Sequence, residues 1–300
     1  MTTPDYLKPG DTIGIVATAR SIGVSHIRKA SRILKSWGYN IREAGNLSHV
    51  HHQFAGTDEA RAKGLQSMLD DPEVKAILCA RGGYGTVRII DRIDFSRFRE
   101  KPKWIMGFSD VTVLHSHIHR HFGVETLHCN MPVAFPDDPR HPSLLSIRDA
   151  LSGKAVSFEI PRHPFNRPGE AQGQVVGGNL SMLYSLMGSP SDLDTDGKIL
   201  FLEELDEYLY HVDRMMMNLK RSGRLDRIRG MVVGGMTDMN DNPVAFGRTA
   251  GEIVRDAVTE YNYPVIFSFP AGHISDNRVL ILGRNATLKV GDGASLEFNT

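Results

Sequence analysis

The stretch Thr12–Trp37, which reads TIGIVATARSIGVSHIRKASRILKSW, indicates a buried strand followed by an amphipathic helix. Thr12–Ala19 is a short run of apolar and small residues, as in a strand that is covered on both faces. From Ile22 onward, apolar residues recur with the spacing of one helix face. A strand that leads directly into a helix is the repeating unit of a parallel sheet.

The same alternation continues through the first half of the chain. Further short strands are predicted at Tyr39–Arg42, Ala76–Ala80, Trp104–Phe108 and Glu125–Cys129. Helical patterns follow at Asp58–Leu69, Thr86–Ile93 and from Asp110 to about His121. We therefore expect residues 1–154 to form an α/β domain in which a doubly wound parallel sheet is covered by helices on both faces.

The second half of the chain has a different pattern. Residues 161–178 are rich in Pro, Gly and polar side chains, and we interpret 155–174 as a linker. Strands are predicted at Lys198–Leu205, Gly230–Met236, Pro264–Phe269, Val279–Leu282 and within 286–298. Helices are predicted at Leu180–Met187, Tyr208–Lys220 and Thr249–Tyr261. We expect residues 175–300 to form a mixed, β-rich domain with antiparallel pairing near its end.

Composition limits the classes of function. The chain has 300 residues, 41% hydrophobic and 23% charged, as in a folded soluble protein. Lys and Arg (35) balance Asp and Glu (35), which argues against a large basic surface for nucleic acid or anionic membrane. Two cysteines exclude a disulfide framework and a four-thiolate zinc site. With no basic, apolar N-terminus and no apolar run near ~18 residues, we expect a cytoplasmic protein.

A serine follows the fourth predicted strand. Gly107–Asp110 reads GFSD, and a helix begins at once. A serine at such a turn projects its hydroxyl above the sheet, and the next amide lies at a helix start, where negative charge is favoured. This pattern is typical of a nucleophile elbow, although the spacing is G-x-S-x-V rather than G-x-S-x-G. From these residues alone, helix capping by Ser109 or Asp110 stays open as an alternative.

A glycine-rich segment, Ala80–Gly85 (ARGGYG), follows the third predicted strand. Its glycines let backbone amides approach an anion closely, although no G-K-[ST] follows as in a Walker loop. Adjacent parallel strands would place this loop beside Ser109, where an amide could stabilise an oxyanion. A phosphate cradle and a simple tight turn are the alternatives.

An acid and a histidine complete the candidate set. Glu203 ends an apolar strand, and His273 lies in the small-residue turn FPAGH. The order Ser109, Glu203, His273 is the order of the α/β-hydrolase triad. A solvated acidic turn and an exposed histidine are the alternatives for the last two residues.

Alternating histidines lie on the helix that follows Ser109. His115 and His119 form one i,i+4 pair, His117 and His121 form another, and His128 is close in sequence. Such pairs can bind a metal. Because the run contains no Glu that would make H-E-x-x-H, we favour a polar helix surface and expect no metal site.

Together these motifs resemble the LD-carboxypeptidases, serine peptidases of the S66 type that also include microcin C self-immunity proteins. The resemblance spans nearly the whole chain. Its motifs, in order, are Lys8–Asp11 (KPGD), Arg81–Gly85 (RGGYG), Gly107–Asp110 (GFSD), Gly177–Ser181 (GGNLS), Leu202–Glu204 (LEE) and Gly272–His273 (GH).

The resemblance implies a role for each candidate residue. Ser109 is the expected nucleophile, Glu203 the triad acid and His273 the base, with the oxyanion hole formed by the amides of Gly83 and Asp110. The family fold implies a flavodoxin-like N-terminal domain and a β-rich C-terminal domain with the triad at their junction. It also implies a homodimer and a reaction that needs no metal or cofactor.

Two segments depart from the family pattern and leave the substrate detail open. Thr18–Ser21 (TARS) stands where the family has Pro-Ser-Gly, and His128–Pro132 stands where it has His-Gly-Pro. There is no long insertion of the kind that shapes a nucleotide-peptide pocket. We therefore expect hydrolysis of the L–D bond that releases D-alanine from murein tetrapeptide, with Arg81 as a candidate for binding the terminal carboxylate. The alternatives are a microcin C-like peptidyl-nucleotide amide hydrolase and a muropeptide-binding protein without turnover.

Overall fold

The computed structural model describes residues 1–299, which divide into two compact units. The first unit is Met1–Lys154 together with Arg278–Ile281. The second unit is Ala155–Asn277 together with the stretch that begins at Leu282. No helix within the described residues is both long and apolar enough to cross a membrane.

Strands and helices alternate along most of the chain. The strands are β1 Thr12–Val16, β2 Asn40–Glu43, β3 Val74–Cys79, β4 Trp104–Gly107, β5 Thr126–His128, β6 Ser157–Ile160, β7 Gly169–Asn179, β8 Ile199–Leu205, β9 Gly230–Thr237, β10 Val265–Ile266, β11 Leu280–Leu282, β12 Asn285–Val290 and β13 Ala294–Phe298. The α-helices are α1 Val24–Ser36, α2 Asp58–Asp70, α3 Ser96–Glu100, α4 Thr112–Phe122, α5 Pro142–Leu151, α6 Leu180–Leu186, α7 Leu209–Arg221 and α8 Ala250–Ala257.

The first unit contains a sheet with the order β11-β5-β4-β3-β1-β2. Neighbouring strands from β2 to β5 are parallel. The order β2-β1-β3-β4-β5 is that of a flavodoxin-like doubly wound fold, which confirms the predicted class of this domain. The parallel arrangement puts the carboxyl ends of β3 and β4 at one edge of the sheet, and both candidate loops follow those ends.

Two local expectations are wrong. Thr86–Ile93 forms two short 3-10 turns instead of a helix, and five of its eight residues are β-branched, which lowers helix propensity. Val279–Leu282 was expected in the second sheet, but β11 lies beside β5 in the first. A short, fully buried apolar strand carries no pattern that identifies its sheet.

The second unit contains a mixed sheet with the order β10-β9-β8-β7-β12-β13-β6. Strands β7 to β10 are parallel, whereas β12 and β13 pair antiparallel with each other and with β7 and β6. The predicted β-rich domain with antiparallel pairing near its end is therefore confirmed. Its apolar core includes Leu202 on β8, Val212 on α7 and Ile253 on α8.

The segment 155–174, which the sequence predicts as a linker, instead contains β6 and the beginning of β7. Its glycines serve close packing between strands. A Cβ built on Gly173 would lie 3.0 Å from the Gly197 carbonyl oxygen, closer than side chains normally approach. Glycine content here therefore reflects contact between neighbouring chain segments, not flexibility.

A matched pair of glycine substitutions tests this packing in the second unit. Gly177 has φ +129°, and a Cβ there would lie 2.0 Å from the backbone oxygen of Phe201 on β8. Gly188 also has a positive φ, +78°, but a Cβ there would meet nothing within 4 Å. We expect Gly188→Ala to cost about 1 kcal/mol of unfolding free energy and Gly177→Ala about 3 kcal/mol, measured by urea denaturation. Equal losses would contradict the close approach of β7 to β8.

Candidate active site

Ser109 lies at the sharp turn between β4 and α4. It opens a short 3-10 turn, Ser109–Val111, that continues directly into α4. Its φ is +62°, in the left-handed region that residues other than glycine rarely occupy. The residues at the N-caps of the turn and of α4 are Phe108 and Val111, and neither helix start has a side-chain cap. Ser109 therefore has the backbone of a nucleophile elbow and does not cap the helix.

The glycine-rich loop lies beside this serine, as the adjacency of β3 and β4 requires. A Cβ built on Gly82 would lie 3.1 Å from the Cβ of Ser109. Gly83 has φ +103°, and a Cβ there would lie 2.5 Å from the Cδ of Arg20. Ser109 and Arg20 thus pack directly against the backbone of Gly82 and Gly83. A side chain at either glycine would have to displace its neighbour.

A buried arginine fixes the far end of the same loop. Arg61 on α2 is fully buried, and its Nη1 donates to the carbonyl oxygens of Thr18 (2.7 Å) and Gly85 (2.8 Å). Its Nη2 pairs with Asp58. Because a buried cation is costly unless it is paired and hydrogen-bonded, these contacts hold the loop and the end of β1 together.

The side chain of Asp110 ties the nucleophile turn to this loop. Asp110 is almost completely buried, and its Oδ2 accepts the backbone amide of Thr86 at 2.9 Å. Burial raises the pKa of Asp110, while hydrogen bonds from Thr86 and the charge of Arg61 act in the opposite direction. The sequence indicated a role for the Asp110 amide and, as an alternative, helix capping by its side chain. The bond made by its carboxylate depends on a long-range contact that local pattern does not show.

Glu203 and His273 form a close pair in the second unit. Glu203 is fully buried near the end of β8, and its Oε2 lies 2.7 Å from Nδ1 of His273. The same oxygen accepts the backbone amide of His273 at 3.2 Å. Because a carboxylate only accepts hydrogen bonds, Nδ1 carries the proton and Nε2 of the neutral ring is the basic nitrogen. The solvated-turn alternative for Glu203 is therefore wrong.

The turn that carries His273 allows the turn backbone and the imidazole to lie close to Glu203. Gly272 has φ +105°, and a Cβ there would lie 2.7 Å from the Cβ of Glu203. Its amide donates to Oδ1 of Asn277 at 2.9 Å. The hydroxyl of Thr237 donates to the carbonyl of His273, also at 2.9 Å. Hydrogen bonds to the backbone of this turn and to the ring together fix the position of the imidazole.

The environment of His273 alters its basicity. Burial lowers the pKa of the imidazole, but the hydrogen bond and negative charge of Glu203, with a smaller contribution from Glu204, outweigh burial and raise it above 6.5. Glu203 thus favours the imidazolium that forms when the ring accepts a proton. The side chain of His273 remains 17% exposed, so it is reachable from solvent.

Glu204 is a buried partner that the sequence identified only as part of a motif. Its Oε1 accepts from Nδ2 of Asn179 (2.8 Å), and its Oε2 accepts the backbone amide of Ser181 (2.6 Å). Burial, followed by the charge of Glu203, raises the pKa of Glu204 to about 7 despite these donors. Glu204 thus connects β8 to the start of α6, which explains the GGNLS and LEE motifs together. In the sequence, the signal that could have identified Glu204 was the pair of consecutive acids at the end of an apolar strand.

Arg81 and the histidine run are also placed by the structure. Nη1 of Arg81 donates to the carbonyl of Ser21 at 3.0 Å, and the side chain is half-buried. Nε2 of buried His115 donates to the carbonyl of Gly107 at 3.0 Å, and burial lowers the pKa of His115 to about 4. His117 and His121 have ring centroids 4.4 Å apart. Within residues 1–299, no group of three or more His, Cys, Asp or Glu side chains is arranged to hold a metal ion.

Comparison with known proteins identifies the family. Residues 13–129 match the LD-carboxypeptidase N-terminal domain of the S66 peptidases, and residues 172–288 match the LD-carboxypeptidase C-terminal domain. A probable murein peptide carboxypeptidase of Bacillus subtilis is 34% identical over 297 residues, which cover 96% of this chain and 92% of the relative. The chain belongs to the LD-carboxypeptidase family of serine peptidases. The resemblance inferred from the motifs is confirmed, and the protein is an enzyme of the carboxypeptidase class.

Solved structures agree with this assignment. Muramoyltetrapeptide carboxypeptidase from Oxalobacter formigenes is similar with a TM-score of 0.87 at 26% identity, covering 96% of this chain and 99% of that chain. The protein MccF in complex with glutamyl sulfamoyl guanosine gives a TM-score of 0.87 at 20% identity, covering 99% and 98% of the two chains. At that identity the second likeness concerns the fold alone.

The Glu203–His273 pair predicts a specific titration. We expect the imidazole of His273 to titrate above 6.5 and Glu203→Gln to lower its pKa, because the amide keeps a hydrogen-bond acceptor but removes the charge. Histidine NMR titrations, with His273→Gln to assign the signal, measure both values. The control is Glu207→Gln, which removes the carboxylate 2.7 Å from His211 and should leave the His273 curve in place. An unchanged His273 pKa in Glu203→Gln would contradict the pairing.

Proposed function

We propose that this enzyme is a serine LD-carboxypeptidase that releases the terminal D-alanine of murein tetrapeptide. The observation that carries the proposal is the buried Glu203 bound to Nδ1 of His273 at 2.7 Å, in a chain whose Ser109 has elbow geometry. The names of the Bacillus and Oxalobacter relatives support a murein peptide as the substrate class. As in the family pattern, we further propose a cytoplasmic homodimer that acts in peptidoglycan recycling.

In the proposed mechanism, His273 accepts a proton and gives it up again in each half-reaction. Oγ of Ser109 attacks the scissile carbonyl while Nε2 of His273 accepts its proton. The imidazolium, stabilised by Glu203, then gives that proton to the amine of the departing D-alanine. In the second half-reaction, His273 deprotonates water, which attacks the acyl-enzyme, and the imidazolium then returns this proton to Oγ of Ser109 as the tripeptide leaves. Glu203 accepts the hydrogen bond of Nδ1 throughout and keeps the proton on that nitrogen.

The oxyanion hole in this proposal consists of the amides of Gly83 and Asp110. Support comes from the position of Asp110 at the start of a helical turn and from the approach of the neighbouring Gly82 to Ser109. Removing one donor of such a hole typically slows the chemical step by ~10²–10³-fold. A cationic side chain next to this loop would bind the substrate's terminal carboxylate, and Arg81 is the candidate that the sequence indicates.

The direct test is incubation of the enzyme with murein tetrapeptide and mass detection of the tripeptide and D-alanine. Cleavage of a peptidyl nucleotide instead would favour the microcin C-like alternative, for which the likeness to MccF offers a shared fold and no more. Binding without turnover would favour a muropeptide-binding protein. Both outcomes would contradict the proposal.

Replacement of the nucleophile is the first prediction from this mechanism. We expect Ser109→Ala to lower kcat by ~10⁴–10⁶-fold, because loss of a triad member removes the covalent step, with the fold retained. Ser67→Ala is the matched control, since the Ser67 hydroxyl lies on α2 and bonds only within its own helix turn to Gly64. Steady-state D-alanine release measures both variants. Activity of Ser109→Ala above about one tenth of wild type would show that Ser109 is not the nucleophile.

Stereochemistry is the second prediction. Cleavage should require an L-centre before the scissile bond and a D-residue after it. With the carbonyl in the oxyanion hole and the carboxylate bound, inversion of the last α-carbon moves the reacting atoms out of line, and ~1 Å of misplacement can cost ~10²-fold. The measurement compares kcat/KM for tetrapeptides that end in D-alanine and in L-alanine. Equal values would leave only a general serine hydrolase.

A further inference from the structure

Arg20 lies directly on the glycine-rich loop beside the nucleophile. A Cβ built on Gly83 would lie 2.5 Å from Cδ and 2.9 Å from Nε of Arg20. Gly83 adjoins Gly82, whose own Cβ position is 3.1 Å from the Cβ of Ser109. Arg20 and Ser109 therefore contact consecutive residues of the loop proposed to hold the oxyanion.

The chain fixes the stem of this side chain and leaves its end accessible. Nε of Arg20 donates to Oε1 of Gln53 at 3.2 Å, and Gln53 is anchored by its own carbonyl, which accepts the amide of Ser21 at 2.9 Å. That side-chain bond uses Nε and not the two terminal nitrogens, which form the other edge of the guanidinium fork. Arg20 is exposed, and none of the ion pairs among residues 1–299 includes it.

The guanidinium of Arg20 is an oriented cation that has no carboxylate partner among the described residues. An anionic group of the substrate would provide such a partner. The terminal carboxylate of a peptide is separated from the scissile carbonyl by one residue, roughly 3.8 Å along the backbone. A diaminopimelate side chain before the scissile bond carries a second carboxylate within a few carbon atoms of the same carbonyl. Both groups are anions near the scissile carbonyl, and both can pair with an arginine on the loop beside Ser109.

Arg81, the candidate from the sequence, is placed differently. Its Nη1 is already bound to the carbonyl of Ser21, and its side chain is half-buried. One terminal nitrogen of its fork is therefore engaged by protein, whereas the fork of Arg20 is held only through Nε. Both guanidinium groups keep two parallel donors for a carboxylate, so the difference lies in exposure: Arg20 is exposed, whereas Arg81 is half-buried.

We propose that Arg20 binds a carboxylate of the substrate next to the scissile bond and so determines which peptides this enzyme accepts. The inference rests on the proposed function. It assigns to Arg20 a specificity role that neither the motif pattern nor the triad requires. Because the side chain is exposed, the effect should be smaller than that of a buried ion pair and close to tenfold.

The experiment uses four tetrapeptides. Their third residue is diaminopimelate or lysine, and their final D-alanine ends in a carboxylate or an amide. The proteins are the wild type, Arg20→Gln, Arg20→Lys, the rival candidate Arg81→Gln and the control Arg32→Gln, which changes an exposed arginine on α1, with thermal unfolding to confirm that each folds. kcat/KM is measured for every combination. Affinity is measured by calorimetry in the Ser109→Ala background, so that the binding result does not depend on turnover.

Selective loss supports the proposal. We expect Arg20→Gln to lower kcat/KM and affinity about tenfold for peptides that carry the recognised carboxylate and to leave peptides without it unchanged. The acid–amide comparison identifies the terminal carboxylate as the source, and the diaminopimelate–lysine comparison identifies the side-chain carboxylate. Arg20→Lys should recover part of the loss, because it keeps the charge without the bidentate fork.

Other outcomes overturn it. An equal loss for all four peptides would mean that Arg20 only packs against the loop. No loss, or a selective loss in Arg81→Gln alone, would remove Arg20 from substrate binding. If the wild type cleaves none of the peptides, the proposed function fails, while the calorimetric comparison still decides whether Arg20 recognises a carboxylate.

Discussion

The hydrogen bond between Glu203 and His273 is the interaction on which the chemistry of the second unit depends. A fully buried carboxylate is costly unless it is paired, and Glu203 receives both the ring and the backbone amide of His273. Gly272 is required at this point because a Cβ would occupy the space of the Glu203 side chain. The hydrogen bonds that compensate for burying Glu203 thus also fix the orientation of the His273 ring, as the proposed role of the ring as base requires.

An analogous constraint operates in the first unit, where backbone strain is held in place by surrounding contacts. Ser109 keeps a left-handed conformation that costs of order 1–3 kcal/mol and persists only when its surroundings enforce it. The carbonyl of Gly107, just before the turn, accepts bonds from Nε2 of His115 and the amide of Cys129. On the other side, the carboxylate of Asp110 holds Thr86. His115, from the alternating run, therefore helps to support the turn at Ser109, so the predicted polar helix surface is wrong for this residue, which is buried.

These long-range contacts explain how far the sequence alone could lead. Hydrophobic periodicity and the order of strands and helices were sufficient to predict the parallel sheet of the first unit and the turn at Ser109, because both are local patterns. The Glu203–His273 pair could be named only through family motifs, since about seventy positions separate the two residues along the chain. The position of β11 and the burial of His115 had no local signal at all, because neither depends on neighbours in sequence.

The two consecutive glutamates at the end of β8 show how one strand end can serve two purposes. Successive side chains of a strand point to opposite faces, so Glu203 meets the His273 turn while Glu204 meets the start of α6. Their like charges are close enough that Glu203 contributes to raising the pKa of Glu204 to about 7. Glu204 therefore changes its charge near neutral pH while it holds Asn179 and Ser181. Its negative charge also contributes to raising the pKa of His273, so both glutamates of this strand end act electrostatically on the same imidazole.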